Sequence, residues 1–568
     1  MSDLPLEALH RLVGEAGRSP LDAASGVAVP PTEVEDFRPL GECLEWRLAD
    51  AFWEHEGVIP FVRNDVPYLV NNSGRLSESA ADLMFTALEE LLPTLPEQIY
   101  VLELGAGSGL FARYFLDAFA ERCRNAGRDF YDRLTYVVTD RFSSMVEGWR
   151  KEGLFAGHEA HVDLRTCDAK SVETLFALGG TPAPMVAFCN YVLDVLPARI
   201  VRRSGERLEQ LCVRAHVPGG EAAWRAAGLA SLDEARALAA SGRFEDLRRL
   251  LRLLPQLELE TEFRPWTPAT SAEAAFTATM VEGQRVILNH GAIACVDQIV
   301  RHLHPHGCLL VNDYGPVRSE DVGSHLGVQR FGGSIALGLN YPWLEHVLGD
   351  WGFTAVSPEG DEQRRIHTRL FARDVGERTA ASLHAHFGLA HDKFLDSPQE
   401  EARAHLAAGR RSEALDAYRR VIERNPRDWQ MLGEAAEYIG LQLGDHAAGL
   451  EIAHAALERN PWRSAWLWNI LGDCLFYRNK LAEAHAAFEQ AQRIDPADPR
   501  TNLNLAYTLS AQDDQAGALV AIARGLAGDG QGSYRPRLLE KQGQVLAIIA
   551  DRTAAEKARL ARRAQRFT

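Results

Sequence analysis

The stretch that most constrains this chain is Gln98-Ile99-Tyr100-Val101-Leu102-Glu103-Leu104-Gly105-Ala106-Gly107-Ser108-Gly109. Its first residues, through Leu102, read as a short buried β-strand. Leu110-Phe111-Ala112-Arg113-Tyr114-Phe115-Leu116 then reads as a helix with an apolar face. Strand, glycine turn and helix in that order form half of a nucleotide-binding crevice. The glycines let the backbone turn sharply and approach a ligand, because no Cβ stands in the way. Two common alternatives fail on spacing. A dinucleotide fingerprint wants its third glycine where the chain has Leu110, and a phosphate-binding P-loop needs a Gly-Lys-Ser/Thr that does not follow.

The strand–helix alternation continues downstream. Leu134–Thr139 reads as a buried strand ending at Asp140, an acid placed to accept both hydroxyl hydrogen bonds of a ribose; the alternative is a cap for a helix over Phe142–Arg150. His161–Asp168 reads as a third strand. Asp168, with Ala169 beside it, is placed to accept from an adenine amino group, or else caps the next helix. Met185-Val186-Ala187-Phe188-Cys189 is wholly apolar, as expected of a parallel strand buried on both faces. It runs into Asn190-Tyr191-Val192-Leu193-Asp194-Val195-Leu196-Pro197. Chemistry in such sheets lies beyond the carboxyl ends of the strands, which makes Asn190 a candidate ligand contact.

From Arg202 to Gly283 the rhythm breaks. Ser231–Leu254 reads as helix and Phe263–Pro268 as loop, an insertion at the ligand edge that would shape an acceptor pocket. Sheet rhythm returns with a helix over Ala292–Leu303 and a strand over Cys308–Asn312, followed by Asp313-Tyr314-Gly315. After the glycine-rich loop Phe331–Ser334 come closing strands at Phe353–Val356 and Thr368–Ala372. At the N-terminus, Leu6, Leu9, Leu12 and Val13 suggest that residues 1 to about 50 are largely helical, interrupted at Val29–Glu33. Tyr68–Val70 leads into the turn Asn71–Gly74. Ser77 and Glu78 then open a helix, Ser77 serving as N-cap or as a cofactor contact.

The pattern Glu103-x-Gly105-x-Gly107-x-Gly109 resembles the first motif of class I S-adenosylmethionine (SAM) methyltransferases. The order of Gly74–Glu78, Glu103–Gly109, Asn190–Pro197 and Asn312–Gly315, with an insertion before the last, is similar to the MidA family, over about residues 40–375. The resemblance implies an α/β, Rossmann-like fold with a mostly parallel seven-stranded sheet, SAM as cofactor, and methylation of a protein side chain, arginine in the best-known member. The family tends to carry an acid where this chain has Tyr191. That weakens arginine, since a guanidinium is best oriented by a carboxylate; Glu78, Asp194 or Asp313 would have to substitute. The candidate cofactor contacts are Ser77, Glu103, Gly105, Ala106, Gly107, Gly109, Asp140, Arg141, Asp168, Ala169 and Asn190. The candidate catalytic residues are Asn190, Asp194, His290 and Asp313, with His290 equally readable as a polar helix-start residue.

The C-terminal third repeats. Pro426, Pro461 and Pro496 recur at a spacing of 35 residues. Trp468, Leu471, Gly472, Leu475, Ala484, Phe488, Ala491 and Pro496 match the tetratricopeptide (TPR) pattern. Flanking copies carry Ala414 and Tyr418 on one side, and Leu505, Ala506, Ala518 and Ile522 on the other. The basic end, Lys557–Arg566, reads as a last, solvated cap helix. The expected divisions are an N-terminal helical cap region (1–95), a SAM-binding core (96–202 and 284–376), an inserted substrate-cap region (203–283) and an all-α TPR solenoid (395–568), with Asp392–Gln399 as linker.

Net charge is −17, from 78 acidic against 61 basic residues, which argues against a nucleic-acid or anionic-membrane binder and is compatible with a basic peptide substrate. The eight cysteines form no C-x-x-C, so no metal site is expected, and a reducing cytoplasm is the expected home. Three readings follow: transfer of a methyl group to a protein or peptide recruited by the TPR surface; transfer to a small molecule, with the array driving homo-oligomerisation; and a SAM-binding scaffold without turnover.

Overall fold

Seven strands build the sheet on which the rest is assembled: β1 (Ile99–Leu104), β2 (Leu134–Asp140), β3 (Val162–Thr166), β4 (Val186–Asn190), β5 (Cys308–Tyr314), β6 (Thr354–Val356) and β7 (Ile366–Ala372). The computed structural model describes residues 32–62, 73–177, 182–323, 328–331, 333–460, 462 and 464–564. Spatial order is β6-β7-β5-β4-β1-β2-β3. β7 runs antiparallel to both neighbours and the other pairs are parallel. Chain order reverses between β1 and β4, so a crevice opens above the carboxyl ends of those two strands. The α/β reading with a mostly parallel sheet is therefore what the chain adopts.

Three helices matter for the site: α1 (Leu44–Glu56), α2 (Arg75–Glu90) and α3 (Leu110–Ala126). α2 and α3 cover one sheet face, where Phe111, Phe115, Phe119, Tyr136 and Phe188 are fully buried. Helices His290–His302 and Tyr341–Asp350 cover the other through Cys295, Val296, Ile299, Leu344 and Leu348.

Several local expectations change. Thr32–Pro39 is a strand, not helix, pairing antiparallel with Arg207–Val217. Phe263–Trp266, read as loop, ends the strand Glu258–Trp266, which also pairs with Arg207–Val217. Glu258–Trp266 pairs on that side only, and an edge strand tolerates Pro265. With Arg199–Ser204 and Arg285–Leu288 they form a second, five-stranded sheet where helix and loop alone were expected. The helix expected over Ser231–Leu254 is interrupted at Gly242, which stands at φ 64°. Ser77 does not cap its helix: Gly74 takes the N-cap place and Ser77 lies buried inside α2. The readings at Leu6–Val13, Val29–Pro31, Tyr68–Asn72 and Pro461 lie outside the described residues.

The C-terminal third is a stack of helix pairs: Leu389–Ala407 with Arg411–Arg424, Trp429–Glu437 with His446–Arg459, Ala465–Tyr477 with Leu481–Ile494, and Pro499–Ala511 with Gln515–Gly528. The long helix Arg535–Ala564 closes the stack. Small residues sit where helices nearly touch. A Cβ on Gly472 would stand 2.4 Å from the Phe488 ring, and one on Gly433 2.4 Å from Trp466. Asp392–Gln399, expected as a linker, lies inside the helix Leu389–Ala407.

The stack is docked firmly on the sheet domain, and one hydrophobic core runs through both. Arg427 donates to Glu78 (2.7 Å) on α2 and to Glu121 (2.6 Å) on α3. The Tyr114 hydroxyl donates to the Arg459 carbonyl at 2.6 Å, and Asn425 donates to the Ser73 carbonyl at 3.3 Å. Burial pushes the Glu78 carboxyl above its ordinary value while Arg427 pulls it down. Removing Arg427 leaves that acid desolvated and unpaired. Arg427→Ala should therefore cost about 2 kcal/mol of stability, and adding Glu78→Gln should recover part of it. Denaturant unfolding of the single and double variants measures this; a double variant no more stable than the single would exclude the stranded charge as the cause.

Candidate functional site

The turn after β1 is built as its glycines allow. Gly105 and Gly107 stand at φ 62° and 54°, and Gly109 at φ 74° forms the N-cap of α3. A side chain would be strained at each, and space is short as well: a Cβ on Gly105 would lie 2.8 Å from Val192, and one on Gly107 2.7 Å from the Phe61 ring. The turn is tied to β2 at three points. The Ala106 amide donates to the Thr139 carbonyl (2.9 Å), the Thr139 hydroxyl to the Glu103 carbonyl (2.8 Å), and the Gly107 amide to Asp140 Oδ2 (3.0 Å). Asp140 Oδ1 accepts from the Phe142 amide at 3.1 Å.

Above the turn lies a cleft. Gly105, Gly107, Asp140, Arg141, Asp168 and Ala169 line it together. Trp46, Ala49, Asp50 and Trp53 of α1 form its roof with Phe61. Tyr191, Val192, Val195 and Leu196 form the wall beyond β4, and Ile335 closes one end. The Trp53 indole N–H donates to Ser334 Oγ at 3.1 Å, which fixes the roof to the short hairpin Gln329–Phe331/Ser334–Ala336. Arg141 pairs with Asp50 of the roof (2.9 Å) and with Asp168 of the floor (3.2 Å), and Lys170 reaches Asp50 at 3.4 Å. Burial pushes the Asp140 carboxyl up to about 6, against the pull of the amides it accepts from.

The remaining candidates stand elsewhere. Glu103 and Asn190 belong to a buried polar row on the α3 side of the sheet. The Tyr136 hydroxyl donates to Glu103 (3.1 Å), Asn312 donates to Asn190 Oδ1 (2.7 Å), and Thr368 donates to Asn312 Oδ1 (2.7 Å). Burial pushes the Glu103 carboxyl up to about 8, against the Tyr136 hydroxyl and the Asn190 amide. Asp194 and Asp313 form a second buried group. Asp313 accepts from the Leu193, Asp194 and Tyr314 amides at 3.2, 3.1 and 2.9 Å. Burial pushes Asp194 up to about 7, and burial and the neighbouring Asp194 push Asp313 up as well, so the two acids oppose ionising together. His290 opens its helix outside the cleft, where burial and the nearby Arg199 hold it neutral, down to about 4. Ala106 and Gly109 shape the turn without lining the cleft, and Ser77 sits inside α2.

The cleft also contains residues that sequence reasoning did not select, chiefly Trp46, Trp53, Phe61 and Asp50. Their place depends on partners far along the chain, such as Ser334 and Arg141, so no local pattern marks them. Tyr191 drew notice only as a departure from an acid. Its φ of 53°, uncommon for a bulky residue, marks the sharp turn beyond β4.

Glu103 gives a pH test. Its carboxyl is raised in the folded state, so its contribution to stability is full below the unfolded value and is lost as pH rises towards about 8. Glu103→Gln keeps a neutral group of the same shape. The variant should show a flatter thermal midpoint between pH 5 and 8, and should gain on wild type at the alkaline end by up to about 1.4 kcal/mol per pH unit crossed. Superimposed melting profiles would show that Glu103 holds no proton there.

Residues 83–340, just under half of the chain, match the family model of S-adenosyl-L-methionine-dependent methyltransferases named Methyltransf_28, and residues 465–498 match the tetratricopeptide repeat. A COG1565 superfamily member from Burkholderia thailandensis, crystallised with S-adenosyl-homocysteine, is 14% identical over 61% of this chain and 97% of its own, with a TM-score of 0.35. TTC0263, a thermophilic TPR protein of Thermus thermophilus, is 19% identical over 27% of this chain and 82% of its own, with a TM-score of 0.24. BBSome complex member BBS4 of Xenopus tropicalis is 29% identical over 106 residues, 19% of this chain; the match spans a fifth of that curated relative. The two family matches carry the assignment, and the narrower likeness to the MidA family rests on its motifs alone.

Proposed function

We propose that this S-adenosylmethionine-dependent methyltransferase, with its C-terminal tetratricopeptide repeats, methylates a side chain of a protein or peptide held by the repeat surface. The observation that carries this reading is the repeat array itself, built onto the methyltransferase domain and presenting an extended surface suited to a chain. The cleft fits the cofactor by its own chemistry. Asp140 Oδ2 accepts the Gly107 amide and Oδ1 the Phe142 amide, and a carboxylate has further lone pairs for a ribose hydroxyl. Asp168 and Ala169 border the place for the adenine, and the glycine backbone that for the methionine part. When bound, SAM supplies an electrophilic methyl group on a sulfonium. The chain's task is then to hold donor and acceptor in line and to keep water out, which Trp46, Trp53 and Phe61 serve as a roof.

Acceptor chemistry is constrained as well. Among the described residues lining the cleft, Asp50 and Asp168 are paired with Arg141, and Asp140 is engaged by amides. Glu78 is engaged by Arg427, and Asp194 and Asp313 are buried away from the cleft lining, with burial raising both. An arginine acceptor therefore finds no free carboxylate at the cleft wall, in keeping with Tyr191 in place of an acid.

Asp140→Ala should weaken SAM binding about tenfold or more, at roughly 1.5–3 kcal/mol per hydrogen bond lost to a charged group. Calorimetry measures it, and unchanged affinity would refute the ribose assignment. For the acceptor, transfer of an isotopically labelled methyl group into native binding partners, read by mass spectrometry, identifies the modified residue. With that substrate, Phe476→Ala, at a half-buried ring of the repeat helix Ala465–Tyr477, should raise KM and leave kcat alone, since remote docking supplies uniform binding. An unchanged KM would refute recruitment by that surface.

A second reading, small-molecule transfer by an oligomer, is favoured by one feature. Leu539, Leu546 and Leu560 stand 46%, 50% and 53% exposed along the last helix. Sedimentation of Leu546→Glu against wild type discriminates: a fall in mass supports oligomerisation through that face.

A further inference from the structure

The glycine turn is held from behind by two indoles, and they come from different domains. Trp149, on the helix Ser143–Lys151, donates its indole N–H to the Gly107 carbonyl at 3.0 Å. Trp462, from the loop between the repeat helices His446–Arg459 and Ala465–Tyr477, donates its indole N–H to the Ser108 carbonyl at 2.8 Å. These are consecutive carbonyls of the turn. Because a peptide unit is planar, fixing each carbonyl also fixes the amide that follows it. Trp462 is itself restrained: its backbone amide donates to Asn460 Oδ1 at 3.1 Å, and Asn460 is buried. Its ring also lies against Gly148, the residue before Trp149, where a Cβ would stand 3.6 Å away. One side chain of the repeat array thus touches both the turn and the helix that carries the turn's other clamp.

We propose that Trp462 is a positioning residue for the cofactor, so that the repeat array forms part of the SAM site rather than only a place to dock substrate. It acts through the Ser108 carbonyl and does not itself line the cleft. The proposal rests on the glycine turn being the cofactor loop and holds for either class of acceptor. It makes the coupling reciprocal: whatever tightens the turn tightens the loop around Trp462, and whatever displaces Trp462 weakens cofactor binding.

The test uses the full chain and S-adenosyl-homocysteine as probe. Trp462→Phe keeps an aromatic ring but loses the N–H donor and the outer indole carbons that face Gly148. Calorimetry should show its Kd raised about threefold to tenfold, the loss expected of one hydrogen bond. Tyr114→Phe removes a different hydrogen bond from the same domain junction, to the Arg459 carbonyl and away from the turn's carbonyls. Its Kd should change less than twofold while its ligand-free thermal midpoint falls at least as far. An unchanged Kd in Trp462→Phe would overturn the proposal, as would equal weakening in both variants, which would assign the effect to docking in general. A wild-type protein that gave no binding heat would overturn the cofactor-loop reading and this proposal with it. Wild-type protein alone provides a second measurement. The probe should slow hydrogen exchange in the peptide around Trp462 but not in the helix Leu481–Ile494. Equal exchange around Trp462 with and without probe would also overturn the proposal.

Discussion

The hydrogen bond from the Gly107 amide to Asp140 is the contact on which the site depends. It joins the turn after β1 to the end of β2, and so fixes one side of the crevice at the point where strand order reverses. A carboxylate accepting from backbone amides is held more strongly than a neutral acceptor would be. Here that gain is set against burial, which raises the acid to about 6. The two tendencies leave Asp140 ionised near neutral pH but not strongly so. Arg141, the next residue, extends the arrangement outward by bridging roof and floor through Asp50 and Asp168. Two adjacent residues therefore order the turn, the floor and the roof.

Beneath the cleft the sheet carries a row of polar side chains where apolar residues would be expected. Tyr136, Glu103, Asn190, Asn312 and Thr368 lie on one face across β2, β1, β4, β5 and β7. Such a row is tolerated in a buried sheet when most of its polar atoms are paired and the acid in it is neutral; here Asn190 Nδ2 is the atom without a hydrogen-bond partner. Asn312 is registered directly against both Asn190 and Thr368, so a slip by one residue would leave amides facing hydrocarbon. The row thus favours one register at the strand ends, where the walls of the cleft begin. Asp194 and Asp313 show the same pressure: burial raises both, and each opposes the ionisation of the other.

Much of the sheet was legible from local pattern. The glycine spacing marked the turn, apolar runs marked β1, β2, β4 and β5, and the 35-residue period marked the repeats. The cleft was legible only where its residues sit at strand ends in sequence, as Asp140 and Asp168 do. Asn190 also sits at a strand end, yet its side chain is engaged inside the sheet by Asn312. The direction a side chain takes beyond a strand end depends on its neighbours in space, and those come from distant segments. The roof residues Trp46 and Trp53 show the same limit. The second sheet was missed because its central strand Arg207–Val217 gathers partners from residues 32–39, 199–204 and 258–266, and Pro265 obscured the alternation on its edge.

The docking of the repeats bears on what their surface is free to do. The contacts to the sheet domain come largely from loops between helix pairs: Asn425 and Arg427 in one, Trp462 in the next, with the Arg459 carbonyl close by in sequence. Loops at one end of the stack therefore carry much of the junction, and the first helices of successive pairs remain joined to one another along their own face. Arg500 shows this by donating both to Glu437 (3.0 Å) and to Asp473 (3.1 Å), linking three successive first helices. An array attached by its side would have its helix faces covered and would serve only to brace its neighbour. Attached by its loops, it holds the glycine turn at one end, and the face joined by Arg500 stays separate for the chain proposed to lie along it. Bracing and recruitment are thus compatible roles, because they draw on different residues of the same repeats.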